Sequence, residues 1–283
     1  MWFEELGFDE SPFEDSPESR MIGYDDVIED SLYNAYAGNI IFLEGKEGSG
    51  KTSILKRVIH KFKGQGKVVY LKCSEIKDLN VEEVLIKKYG IIRRLFSKTP
   101  KDMILLFDDI EDLSRKNTER IKYFYDQGYI RSIIFTGINY KRLNFSDSLK
   151  DRITKIVKIP DLNDNDAIEV VEERLEGKDL IPENIIKEAF KRSNKNVKAF
   201  LKTCEDLVRY ALQEKSEKVT DEHAKVIFEG ERIVKEKEEP KEEKPKKSKK
   251  NPKEEKPKEK TKEVVSDDDG IKVIYEDIAE KYY

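Results

Sequence analysis

One eight-residue motif constrains the fold of this chain more than any other feature. Residues 45–52 read Gly-Lys-Glu-Gly-Ser-Gly-Lys-Thr and match the pattern G-x-x-x-x-G-K-[ST]. An apolar run at 40–43 precedes the motif, and a helical pattern of apolar residues follows it. A glycine-rich turn between a buried strand and a helix directs backbone N–H groups and the positive end of the helix dipole into one small space. The motif therefore predicts a phosphate-binding loop (P-loop).

The residues of this loop have separate expected roles. Lys51 is expected to neutralise charge on the β- and γ-phosphates of a nucleotide, and the Thr52 hydroxyl to coordinate Mg²⁺. The other predicted phosphate contacts are Gly45, Lys46, Glu47, Gly48, Ser49, Gly50 and Ser53.

Short apolar runs alternate with helical patterns over the first 160 residues. The runs that predict buried strands are 40–43, 68–71, 103–107, 133–135 and 156–157. Helical patterns lie between them, for example at 54–62 and 81–95. Such alternation predicts an α/β fold, with a five-stranded parallel sheet flanked by helices. After Pro160 the strand pattern stops, and a small all-helical domain is predicted from helices at 163–177, 182–191, 195–215 and 220–232.

A second chemical signal is a strand that ends in two acids. Asp108 and Asp109 follow the run 103–107, with one predicted strand between them and the P-loop strand. This arrangement predicts that Asp108 holds Mg²⁺, the Walker B role, and that Asp109 polarises the attacking water. Glu111 is the alternative for the second role, although turn geometry is expected to direct it away.

The next predicted strand also ends in polar residues. Thr136 lies at its carboxyl end, the edge of the sheet at which doubly wound folds bind ligands. We expect Thr136 to contact the γ-phosphate or the lytic water, with Asn139 as the alternative. A threonine that only caps a strand before a glycine turn would have the same sequence.

The order of these elements resembles that of AAA+ ATPases over residues 2–232. Three local features are similar to the branch that contains archaeal origin-recognition initiators and ExeA- and TniB-type helper ATPases. Residues 3–13 (FEELGFDESPF) resemble the "FGF-x-x-x-PF" opening of ExeA-type proteins. Residues 148–162 resemble the "L-x-x-R-I … L-x-P-L" passage into the helical lid, and 194–200 occupy the place of the "G-N-P-R" sensor-2 segment.

The resemblance implies ATP as the nucleotide and two further site residues. Arg152 would be the arginine finger that reaches a γ-phosphate in a neighbouring subunit, although an ordinary helix-terminal arginine is the alternative. Lys198 would be the sensor-2 residue. The adenine would lie between residues 22–24 and the lid. Relatives usually have Glu in place of Asp109 and Arg in place of Lys198, and both departures favour slow hydrolysis or a nucleotide-dependent switch.

Composition excludes several classes of function. The chain of 283 residues is 40% charged, but its net charge of −4 provides no global basic field for nucleic acid. Two Cys and two His are too few for a zinc cluster, a disulfide framework or a His-based triad. Without an apolar run of membrane-spanning length or a signal-peptide pattern, the sequence predicts a cytoplasmic protein without a membrane partner.

The end of the chain differs in composition from the rest. We divide the sequence into a nucleotide-binding domain at 1–160, which includes an N-terminal segment 1–37, a helical lid at 161–234, a linker at 235–263 and a C-terminal motif at 264–283. The linker holds thirteen Lys and nine Glu without an aromatic residue, a composition typical of disorder. It stands where initiators carry a winged-helix domain, so DNA contact is expected to be at most nonspecific.

The apolar and aromatic residues of 264–283, which end in Tyr282 and Tyr283, predict docking to a protein partner. A weak resemblance to the sliding-clamp motif, and packing onto the protein's own body, are the alternatives.

These observations favour an ATPase that self-associates through its nucleotide site and acts as a helper or loader in DNA replication, recombination or transposition. Two alternatives remain open. One is a nucleotide-gated adaptor with little hydrolysis, and the other is an ExeA-like ATPase associated with secretion.

Overall fold

The computed structural model describes residues 1–14, 20–62, 68–73 and 101–238. Its five strands are β1 (Ile40–Glu44), β2 (Val68–Lys72), β3 (Met103–Asp108), β4 (Ile130–Gly137) and β5 (Ile153–Lys158). Within the described residues the α-helices are α1 (Asp25–Ala37), α2 (Lys51–Lys61), α3 (Arg115–Asp126), α4 (Asp147–Lys150), α5 (Asp164–Arg174), α6 (Glu183–Arg192), α7 (Val197–Gln213) and α8 (Asp221–Glu238).

The strands form one parallel sheet in the order β2-β3-β4-β1-β5. The five predicted strands and the predicted α/β class are confirmed. β1 is flanked by β4 and β5, and β3 is flanked by β2 and β4. Because all strands run the same way, the carboxyl ends of β1, β3 and β4 meet at one edge of the sheet.

Continuous apolar runs form β1 to β4 because both faces of the sheet are covered there, whereas the edge strand β5 is largely exposed. Every residue of β3 is buried, as are the first four of β1. Alternate side chains of β1 enter two separate clusters. Ile41 and Leu43 pack on the face that carries α1 and α2, and Ile40 and Phe42 pack on the opposite face.

The four helices α5–α8 form the lid, at the positions that the sequence predicts. α5 begins at a complete capping box, in which the side chains of Asn163 and Asp166 each accept from the other's backbone N–H. α8 continues to Glu238, four residues past the expected end of the lid at 234. The lid shares its core with the nucleotide-binding part, because Phe200 of α7 and Ile54 of α2 belong to the same hydrophobic cluster.

The N-terminal segment 1–14 packs on the lid, although the sequence-based division placed it in the nucleotide-binding domain. Arg174 of α5 donates to the backbone carbonyls of Pro12 and Glu14. The ammonium of Lys178 lies 3.9 Å from the ring centroid of Phe8. The phenylalanines of the ExeA-like opening therefore hold this segment against the lid.

Several sequence predictions lie outside the described residues. These are the helix at 81–95, most of the linker and the C-terminal motif with Tyr282 and Tyr283. Among the residues that are described, none of the helices combines the length and the apolar character needed to cross a membrane.

Candidate functional site

The P-loop joins β1 to α2 with the geometry that the motif predicts. Gly50 precedes α2 with a φ of 87°, a left-handed conformation that glycine adopts without strain. Lys51 is the first residue of α2 and is buried. Its Nζ donates to the carbonyl oxygens of Gly45 and Lys46, at 3.2 and 3.1 Å. The ammonium group therefore lies across the mouth of the loop.

Ser49 gives an independent indication of what the loop binds. Its hydroxyl is buried, with no hydrogen-bond partner. The hydroxyl points across the loop, so that a Cβ placed on Gly45 would lie 2.5 Å from the Ser49 oxygen. A buried hydroxyl without a partner is costly, and an anionic oxygen in the loop would supply the missing acceptor.

Asp108 is the centre of a hydrogen-bond cluster at the edge of the sheet. Its side chain is fully buried at the end of β3. The Thr52 hydroxyl donates to Oδ2 at 2.7 Å, and the Thr136 hydroxyl donates to Oδ1 at 2.6 Å. The structure thus brings together the two predicted metal ligands and the predicted end of β4.

Tyr70 is a member of this cluster that the sequence analysis missed. It lies on β2, and its hydroxyl donates to Oδ2 of Asp108 at 2.7 Å. The only sequence signal is a tyrosine within the otherwise aliphatic run 68–71. With Tyr70, three hydroxyl groups from three elements hold one carboxylate in place.

Asp109 turns out of the sheet immediately after β3. Its φ of 50° and ψ of 64° are left-handed, and its backbone N–H donates to the Thr136 hydroxyl at 3.1 Å. Partial burial and the neighbouring Asp108 carboxylate raise the pKa of Asp109, an effect that Lys51 partly opposes. Thr136 therefore connects the two acids, since it donates to one and accepts from the other.

Glu111 and Asn139, the alternatives to Asp109 and Thr136, make contacts elsewhere. The carboxylate of Glu111 accepts from the backbone N–H of Ile138 and so lies against the end of β4. Asn139 accepts from the backbone N–H of Lys141 and caps a short 3₁₀ turn. Both side chains support the loop after β4.

The lid contacts the P-loop through the first turn of α7. The backbone N–H groups of Val197 and Lys198 point to the carbonyl oxygen of Gly48, at 3.1 and 3.4 Å. The side-chain amide of Asn196 donates to the carbonyl oxygen of Glu47 at 3.2 Å. Lys198 thus meets the loop through its backbone, and its side chain is exposed.

Residues 21–24 cover the other side of the loop. A Cβ on Gly50 would lie 3.7 Å from Cε of Met21 and 4.0 Å from the hydroxyl of Tyr24. Burial and the carboxylates of Asp161 and Asp166 raise the pKa of Tyr24, so that its hydroxyl stays protonated. Residues 21–24 therefore lie against both the loop and the lid, and the adenine is expected between residues 22–24 and the lid.

Arg152 lies far from the P-loop of its own chain. It directly precedes β5, and therefore lies at the amino edge of the parallel sheet, whereas the P-loop lies at the carboxyl edge. Its Nε pairs with Asp126 of α3 at 3.1 Å, and its side chain is 53% exposed. Exposure at the opposite edge suits a residue that acts on a neighbouring molecule.

These residues fit a magnesium–nucleotide complex. A hydroxyl and a carboxylate oxygen 2.7 Å apart, from Thr52 and Asp108, are the hard oxygen donors that Mg²⁺ prefers. The lysine across the loop and the buried Ser49 hydroxyl suit phosphate. Ser53 follows in the first turn of α2, and Lys46 pairs with Asp161 of the lid at 2.8 Å.

Comparison with known proteins supports this assignment. Residues 37–162 match a protein family described as an AAA domain, over the P-loop, the Asp108 cluster and Arg152. This part of the chain is therefore similar to an AAA domain. This finding confirms the resemblance to AAA+ ATPases that the motifs indicate.

A curated relative is the chromosomal replication initiator protein DnaA 2 of Protochlamydia amoebophila. It is 32% identical over 88 residues, which are 31% of this chain and 19% of that protein. The match thus spans about a fifth of the relative's length.

Solved structures share the fold of the parallel sheet and the lid. The ORC1 protein of Aeropyrum pernix, in complex with DNA, aligns with a TM-score of 0.61 and 13% identity over 78% of this chain and 68% of that one. Domain III of the replication initiation protein DnaA of Thermotoga maritima aligns with a TM-score of 0.56 and 18% identity, over 78% of this chain and 97% of that one. The RuvB Holliday junction branch migration motor of the same organism aligns with a TM-score of 0.53 and 15% identity, over 73% of this chain and 69% of that one.

Proposed function

We propose that this protein binds Mg·ATP and hydrolyses it at an interface between two copies of the chain. The observation that carries the proposal is the cluster around Asp108, in which the Thr52 and Thr136 hydroxyls hold a fully buried carboxylate beside the P-loop. Keeping a carboxylate and its donors buried has a cost in desolvation. A cation and a phosphate chain at this edge account for that arrangement.

Each residue has a defined part in this chemistry. Lys51 and the inward-facing N–H groups of the loop bind the phosphates, and the Ser49 hydroxyl donates to a phosphate oxygen. Thr52 and Asp108 hold the cation, which when bound neutralises charge on the phosphates. Asp109 orients the attacking water and accepts its proton, and Thr136 fixes the position of Asp109.

The arginine finger comes from a second copy, because Arg152 lies at the edge of the sheet opposite to its own P-loop. The charge distribution supports a head-to-tail contact. Residues 1–37, which include the segment over the P-loop, carry eleven acidic side chains and one basic one. Residues 115–158, which include Arg152, carry eleven basic and four acidic side chains. This excess of opposite charge in the two segments favours association of copies through them.

We further propose a helper or loader role in DNA replication, recombination or transposition, with recruitment of a protein partner through 264–283. The support is the similarity to proteins whose names state replication initiation or branch migration. Phosphate contacts from the basic region 115–158 would make DNA binding nonspecific and dependent on salt.

The test is steady-state ATP hydrolysis across a series of protein concentrations, with and without duplex DNA. Turnover per chain is expected to rise with concentration for the wild type and to stay low for Arg152→Ala, whose nucleotide affinity is unchanged. Arg209→Ala removes an exposed, ion-paired arginine from α7, outside the segment 115–158, and serves as the matched control. Stimulation by DNA supports the replication or recombination role.

A mixing experiment tests directly whether Arg152 acts in the nucleotide site of a second copy. Arg152→Ala retains Asp109, and Asp109→Asn retains Arg152, so that a mixed interface contains one complete site. Partial recovery of turnover on mixing is expected. Absence of recovery contradicts a finger supplied by a second copy. Tight ATP binding without turnover at any concentration would instead identify a nucleotide-gated adaptor.

A further inference from the structure

The lid holds two consecutive carbonyl groups of the P-loop. The Glu47 carbonyl accepts from the side-chain amide of Asn196 at 3.2 Å. The Gly48 carbonyl accepts from the backbone N–H groups of Val197 and Lys198. The first N–H groups of a helix lack partners within the helix, so these contacts also satisfy the start of α7.

Fixing these carbonyls fixes the N–H groups on the other side of the same peptide units. A trans peptide is planar, and its C=O and N–H bonds point in opposite directions. Because the lid holds the carbonyls of Glu47 and Gly48 from outside the loop, the N–H groups of Gly48 and Ser49 face its interior. The Ser49 N–H indeed points across the turn, where it donates to the Lys46 carbonyl oxygen with an N···O distance of 3.2 Å.

The contact leaves no room for a side chain at residue 48. A Cβ on Gly48 would lie 2.0 Å from Oδ1 and 2.4 Å from Cγ of Asn196. The φ of Gly48 is 71°, which also disfavours other residues. The glycine at this variable position of the motif is therefore explained by the approach of Asn196.

We propose that Asn196 is a positioning residue that aligns the N–H groups of Gly48 and Ser49 for phosphate and so couples the lid to nucleotide affinity. This inference rests on the proposed binding of ATP at the P-loop. The AAA+ resemblance implies Lys198 as the lid residue that acts on the nucleotide. The contacts instead assign the positioning of the P-loop to Asn196.

Two functions of Asn196 can be separated by substitution. Its Oδ1 accepts from the backbone N–H of Ala199 at 3.0 Å and caps α7, while its Nδ2 donates to Glu47. Serine is an equally good N-cap but has no amide to reach the loop. Asn196→Ser therefore keeps the cap and removes the contact.

The lid supplies a matched control. Asn163 caps α5 by accepting from the backbone N–H groups of Asn165 and Asp166, and these contacts lie within the lid. Asn163→Ser makes the same chemical change at a helix start without affecting the P-loop. Any general effect of the substitution on lid stability appears in both variants.

The experiment is stopped-flow measurement of the dissociation of fluorescent ADP with Mg²⁺, with thermal unfolding of the nucleotide-free proteins measured in parallel. Asn196→Ser is expected to release ADP about three- to tenfold faster than the wild type, the effect of one lost hydrogen bond. Asn163→Ser is expected to release ADP at the wild-type rate, and both variants to unfold at similar temperatures.

Equal dissociation rates for Asn196→Ser and Asn163→Ser overturn the positioning role while leaving ATP binding intact. Failure of the wild type to bind either ADP or ATP overturns the proposed function and the positioning role with it. Asn196→Asp keeps the cap but lacks the amide donor, and is therefore expected to release ADP at least as fast as Asn196→Ser. Wild-type dissociation in Asn196→Asp also contradicts the proposal.

Discussion

The hydroxyl of Thr136 connects the two acidic residues of the site, and its removal should therefore have an effect on both stability and turnover. Thr136 is fully buried, donates to Asp108 at 2.6 Å and accepts from the Asp109 N–H at 3.1 Å. Valine has nearly the same shape, so that Thr136→Val removes both hydrogen bonds without leaving a cavity. The expected loss is about 3 kcal/mol, since one bond involves a charged acceptor and the Asp109 N–H is left without its acceptor.

Urea denaturation of the nucleotide-free protein measures this loss, and Thr136→Ser is the control. Serine keeps the hydroxyl and loses one buried methyl group, which costs about 1 kcal/mol. With Mg·ATP, turnover is expected to fall in Thr136→Val and to be largely retained in Thr136→Ser. If valine is no more destabilising than serine, the reasoning about the Asp108–Thr136–Asp109 connection is refuted.

Three further predictions concern other parts of the molecule. In metal-free buffer, Asp109→Asn should raise the melting temperature at pH 8, because a raised pKa means that the ionised carboxylate destabilises the fold; this gain should shrink as the pH falls and the wild-type carboxyl becomes protonated. Phe13→Ala removes a buried ring from the segment that packs on the lid and should cost about 3 kcal/mol in urea denaturation, whereas substitution of exposed Tyr33 should cost little. Self-association measured by sedimentation should weaken between 50 and 500 mM NaCl, and insensitivity to salt would contradict a contact between the acidic segment 1–37 and the basic segment 115–158.

The convergence of the site residues is predictable from sequence because it follows from topology. Thr52 follows β1 and its loop, Asp108 ends β3 and Thr136 lies near the end of β4. Once a parallel sheet is predicted, the carboxyl ends of these strands must meet at one edge, whatever the details of packing. The five strands and the lid helices are predictable for a similar reason, since hydrophobic periodicity is local information.

Contacts that depend on the reach of one side chain, or on how two units are packed, are not predictable in this way. Tyr70 lies on β2, and only the direction of its ring brings the hydroxyl to Asp108. Asn196 reaches Glu47 because the lid closes on the P-loop at a particular angle, which no local pattern encodes. The packing of residues 1–14 on the lid likewise depends on distant partners such as Arg174.

The aromatic cluster at the start of the chain contains an intrinsic fluorescent probe. Trp2 is the single tryptophan of the sequence; its ring stacks on Phe13 at a centroid distance of 6.4 Å and meets the edge of Phe3 at 5.7 Å. Trp2 packs against the same hydrophobic cluster that joins the lid to α2. Its emission therefore reports from one known place, in the segment that packs on the lid, and a change in emission when nucleotide is added would report a rearrangement of this segment in the unlabelled protein.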